Sequence, residues 1–171
     1  MGHREFLLAV GMFATAASPG VDSGQSAGEW AGVKVSDPSA ARALRRALDD
    51  ASLRLIVPEC ASLLADFRDL DGHPLRVRLD AFSVDAREYL HWIQFHDGSD
   101  PPCGNGRTLL YTSPGSRVVR ACSLAVERAG WTGADHLSTT VIHEMLHTLG
   151  LGENPPTSEE ITANVRRKCR S

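Results

Sequence analysis

The chain has 171 residues, 42% hydrophobic and 23% charged, enough for one domain with a packed core and too apolar for wholesale disorder. Its formal charge of −3 argues against a nucleic-acid binder, which carries a basic excess. No apolar run reaches the ~18 residues that an integral membrane helix needs.

In chain order, residues 1–17 read as an export signal: Arg4 is the charged start, Phe6 to Ala17 the apolar stretch, and Ala14-Thr15-Ala16 a small-x-small cleavage pattern. Residues 18–36, rich in Gly, Ser and Ala, read as a flexible linker, so the domain is expected over 37–171 in a secreted or periplasmic protein. Asp37-Pro38 starts a helix that runs to about Leu55, with Leu44, Leu48 and Ala51 on its apolar stripe; Pro58 breaks it. A short helix through Leu63, Leu64 and Phe67 ends at the Asp71-Gly72 turn. Leu75, Val77 and Leu79 alternate like a strand, but Leu75, Leu79 and Phe82 also fit a helix, the reading preferred; Ser83 is read as a cap for the next helix through Tyr89, and Trp92 to Phe95 as a strand. Residues 108–112 and 117–122 form a hairpin joined by Ser113-Pro114-Gly115-Ser116. A loop near Gly130 and Gly133 precedes a strongly patterned helix over about 137–150. Thr157-Ser158-Glu159-Glu160 opens a last helix to about Cys169 as a capping box.

Four cysteines in an exported domain suggest two disulfides, for which sequence allows three connectivities. Cys103 and Cys122 flank the hairpin, which brings them together; by elimination Cys60 pairs with Cys169.

Chemistry concentrates in His143-Glu144-Met145-Leu146-His147. On a helix, residues i and i+4 lie about 40° apart around the axis and about 6 Å along it, so two imidazoles on one face can share a zinc ion. Glu144 between them can take a proton from water at that ion. Glu153 lies six residues past His147; were the helix to continue, it would sit about 120° around and about 9 Å further on, out of reach. Gly150 can turn the chain back through a left-handed conformation and return Glu153 to the ion. Glu159 and Glu160, on the following helix, are the alternative third ligands. Tyr89 and Tyr111 are the only phenols able to polarise a carbonyl, and Trp30, Trp92 and Trp131 are read as core or substrate-wall residues. Asp69-x-Asp71-Gly72 lacks the rest of a calcium loop and is read as a turn.

The run from His143 to Glu153 resembles the metzincin zinc-peptidase signature HExxHxxGxxH, in its matrixin version, and HTLGLGENPP is similar to small exported bacterial proteins. The resemblance implies His143 and His147 as zinc ligands, Glu144 as general base and Gly150 as the turn glycine. Glu153 stands where the family has His. The methionines are Met1, Met12 and Met145, so the family's downstream methionine turn is absent, and 18 residues follow Glu153. The expected fold is α+β: a minimal zincin-like domain with a small, mostly antiparallel sheet packed on the active-site helix and additional helices. The expected protein is a monomeric zinc peptidase acting on peptides or proteins, with substrate added alongside Arg117 to Cys122. A zinc-binding or inactive binding module, and a zinc hydrolase of a cell-wall amide, are the alternatives.

Overall fold

The computed structural model describes residues 30–170; the expected export signal and residues 18–29 of the expected linker lie outside the described residues. Residues 30–36 are not linker. Trp30 is buried, donates from Nε1 to Asp49 at 2.7 Å and stacks on His91, and β1 (Val33–Lys34) follows it. The small polar residues suggested a tether, but Trp30, Val33 and Val35 bury enough apolar surface to hold the segment down.

Strand β1 runs parallel to β2 (Gln94–Asp97), β2 runs parallel to β4 (Val118–Ala121), and β3 (Leu110–Tyr111) is the antiparallel edge beside β4, giving the order β1-β2-β4-β3. The expected mostly antiparallel sheet is therefore mixed, with a single antiparallel pair. Only the hairpin is legible locally, in the register Leu110↔Ala121 and Tyr111↔Arg120. The parallel pairs join segments far apart in the chain, as parallel pairing requires.

Helix α1 (Pro38–Leu55) begins as expected, with Asp37 accepting the Ala40 N–H at 2.7 Å and Pro38 in the first turn. Its Leu44, Leu48 and Ala51 are fully buried and pack against α6 (Ser123–Thr132) and α7 (Ala134–Thr148). Helix α6 was not expected. Its buried face is built of small residues, Ala125, Val126 and Ala129, which give a weak periodic signal. Gly130 marks close helix packing there, not a loop: a Cβ on it would lie 2.5 Å from that of Ala43.

Short helices α2 (Pro58–Ala61) and α3 (Leu63–Asp66) lead to α4 (Leu75–Phe82) and α5 (Ala86–Leu90). Ser83 ends α4 in a left-handed conformation instead of opening α5, which Asp85 caps by accepting the Glu88 N–H. Helix α8 (Ser158–Lys168) carries the expected capping box between Thr157 and Glu160. Disulfides join Cys60 to Cys169 and Cys103 to Cys122, the expected pairing, fastening α8 to α2 and the loop after β2 to the end of β4. Among the described residues no helix is long and apolar enough to cross a membrane.

The turn at Asp69–Gly72 braces the chain that follows α7. The Leu70 N–H donates to the Gly150 carbonyl at 3.1 Å, and Asp69 bridges to Leu151. The buried Asp69 carboxylate accepts the Asp71 and His73 N–H groups at 3.0 and 2.9 Å and Arg78 Nε at 3.2 Å, so a guanidinium stands where a bound cation would. Burial opposes ionisation of Asp69, but these donors outweigh it and hold its pKa below the ordinary carboxylate value. The stability this adds is present above the unfolded carboxylate pKa of about 3.9 and is lost as pH falls through the lower folded value. Urea unfolding measured from pH 6 downward is therefore expected to show Asp69→Asn destabilised at pH 6 and losing less stability than wild type on acidification. Identical pH slopes for the two proteins would refute the assignment.

Candidate metal centre

Helix α7 buries Val141, Ile142, Met145 and Leu146 in the core and turns His143 and His147 to the other side, with their Nε2 atoms 3.0 Å apart. The helix closes at Leu149, and the Gly150 and Leu151 N–H groups bond back to the carbonyls of His147 and Leu146. Gly150 has φ +106°, the positive-φ reversal expected of it, and Asp69 packs so closely behind it that an added Cβ would lie 3.0 Å away. The reversal returns Glu153 to the histidines: its Oε1 is 3.3 Å from His147 Nε2 and 3.8 Å from His143 Nε2. The three side chains form one group able to hold a metal ion. Glu160 is engaged elsewhere, its Oε2 accepting the Thr157 N–H at 2.8 Å, and neither it nor Glu159 joins the cluster.

Both imidazoles are anchored from behind. His147 Nδ1 lies 2.7 Å from the Leu151 carbonyl, which can only accept, so Nδ1 carries a proton and Nε2 is the nitrogen turned to the cleft as the candidate ligand atom. His143 Nδ1 meets the Thr162 hydroxyl of α8 at 2.9 Å. Burial, and then the neighbouring His147, push the His143 pKa down to about 4, so this ring is neutral near pH 7. Thr162 escaped the sequence reading because no local spacing links it to a residue 19 positions earlier.

Glu144 lines a cleft of about 500 Å³ together with the two histidines and Glu153. Burial pushes its pKa up to about 8, reinforced by the Glu153 charge and partly countered by the Thr112 backbone N–H that donates to it. Strand β3 forms a wall of the cleft through Leu110 and Tyr111. Substrate addition alongside Arg117 to Cys122 is not available, because β4 is flanked by β2 and β3; the open edge beside the metal group is β3. Of the two phenols, Tyr111 lines the cleft with its hydroxyl on Ser99, whereas Tyr89 is buried below the end of α7 and donates to the Thr148 carbonyl. Trp30 is core, while Trp131 is 82% exposed on α6 and lines neither core nor cleft. No protein-family model, curated protein or solved structure matches this chain.

Proposed function

We propose that the protein is an exported zinc peptidase, with His143, His147 and Glu153 as ligands and Glu144 as general base. The observation that carries this reading is the convergence of three metal-ligating side chains, His143, His147 and Glu153. His147 Nε2, the nitrogen left free for a metal because Nδ1 donates to Leu151, faces a carboxylate oxygen of Glu153 at 3.3 Å. Two lone pairs at that distance repel unless a cation, a metal ion or a proton, lies between them, and it is the third donor, His143 Nε2, that favours a metal ion. Three donors each 2.0–2.2 Å from a tetrahedral ion sit about 3.3–3.6 Å apart. The separations here, 3.0, 3.3 and 3.8 Å, bracket that range. Two imidazoles and one carboxylate are a donor set zinc accepts in sites that keep an open fourth position.

Zinc, when bound, supplies a Lewis acid to the scissile carbonyl and acidifies water. The chain's own groups do the rest. Glu144, oriented by the Thr112 N–H, would be ionised near neutral pH once the charge of a bound cation offsets the burial that raises its pKa, and would then take a proton from the attacking water and pass it to the leaving amine. The edge of β3 receives an extended peptide by strand addition, which lays its backbone across the cleft. The two disulfides suit the oxidising compartment that an export signal implies. Removal of metal with a strong chelator is expected to abolish cleavage of an unstructured protein substrate, and one equivalent of zinc to restore it. Cleavage that survives complete removal of metal rules the reading out.

A further inference from the structure

A second cavity, of about 220 Å³, lies at the end of α7, lined by the Thr148–Gly150 turn, Phe82, Tyr89, Arg78 and Arg117. It abuts the metal cleft. Pro114 and His147 line the cleft, and their chain neighbours Gly115 and Thr148 line the second cavity. The Gly115 N–H donates to the His147 carbonyl at 2.8 Å, a backbone rung at which the linings of the two spaces meet. Gly115 has no side chain to obstruct passage over that rung, and even a Cβ there would meet nothing within 4 Å.

The charges around the cavity are unequal in availability. Arg78 is held by Asp69 and Asp71 at 3.2 and 3.5 Å. Arg117 has no carboxylate partner among the described residues, and its guanidinium carbon lies 5.8 Å from the centre of the Trp92 ring. Burial pushes the Tyr89 hydroxyl pKa up against the pull of both arginines, which places both charges near that one phenol. Among the described residues no carboxylate lines the cavity. A space of side-chain size, lined by two aromatic residues and by polar groups, with one guanidinium that has no carboxylate partner among the described residues, calls for a carboxylate on a short stem.

The geometry points to this cavity as the subsite for an acidic substrate side chain, Asp or Glu, within three residues of the bond cleaved. The inference rests on the peptidase reading above. An extended peptide advances about 3.3 Å per residue, so a chain seated on the metal cleft crosses the rung within one to three residues. Arg117 is the specificity-determining group, and Arg78, fixed by its aspartates, shapes the wall.

The test uses fluorescent peptides that differ only by Glu, Gln or Lys at each of the three positions on either side of the cut. Cleavage by the zinc-loaded wild type is followed with the cut site read by mass spectrometry. Binding is followed separately by fluorescence anisotropy on the Glu144→Gln protein. At one position Glu is expected to outperform Gln at least about tenfold in both measurements, a charge-assisted hydrogen bond's worth. The Glu-to-Gln ratio should fall near one in Arg117→Gln and tip towards Lys in Arg117→Glu, with circular dichroism confirming that both variants fold. Equal performance of Glu and Gln peptides at every position overturns the subsite while leaving the peptidase reading intact. Failure to cleave any peptide sinks the peptidase reading, and the binding arm still decides the subsite: equal binding, or none, overturns it.

Discussion

Zinc content is expected to be about one ion per chain in the purified protein and near zero in His143→Ala and His147→Ala. Structural zinc sites contribute about 10–16 kcal/mol across four ligands, so losing one ligand raises Kd at least about a hundredfold. Glu153→Gln keeps the size of the side chain and removes its charge, and should weaken zinc strongly without unfolding the domain. Glu153→His should retain binding, because imidazole is the ligand at that position in the family the motif resembles. Gly150→Ala should also weaken zinc, since an alanine there pays about 1–2 kcal/mol for positive φ and its Cβ presses on Asp69. Thr162→Val, which removes the partner of His143 Nδ1, should cost about tenfold, and Thr162→Ser should restore most of it. Competition with a chelating indicator measures each Kd. Tight binding by Glu153→Gln together with loss of binding in Glu159→Gln or Glu160→Gln would move the third ligand onto α8 and overturn the centre described here.

Glu144→Gln is expected to leave zinc bound and to lower peptide cleavage by about 10²–10⁴-fold, the usual contribution of a positioned general base. Glutamine keeps the shape and can still meet the Thr112 N–H through its carbonyl oxygen, but it cannot accept the proton of the attacking water. The variant thus separates chemistry from folding and from metal binding. Full retention of cleavage in a zinc-loaded Glu144→Gln protein would remove Glu144 from the mechanism. Turnover of a cell-wall amide but of no peptide by the zinc-loaded wild type, lost in Glu144→Gln, would identify the substrate as something other than peptide.

What could be read from the chain itself was whatever a short stretch encodes. The spacing of His143 and His147 places them on one face of a helix, and that helix is present. A glycine three residues later and a carboxylate three beyond it made the return of Glu153 a local question of one positive φ, and Gly150 adopts it. The hairpin at 108–122, the Asp37-Pro38 start, the Thr157 capping box and the Cys103–Cys122 pairing belong to the same class, whereas Cys60–Cys169, 109 residues apart, followed only by elimination. The tertiary structure alone decided what distant segments do to one another. It placed Thr162 behind His143, the Asp69 turn behind Gly150, α6 against α1 and β2 between β1 and β4. The physical reason is that hydrogen bonds of caps and turns close over three or four residues and leave a mark in the order of residue types. A parallel pair, or a hydroxyl meeting an imidazole 19 residues away, depends on how the apolar faces of α1, α7 and α8 pack, and packing is compatible with many residue choices at each position.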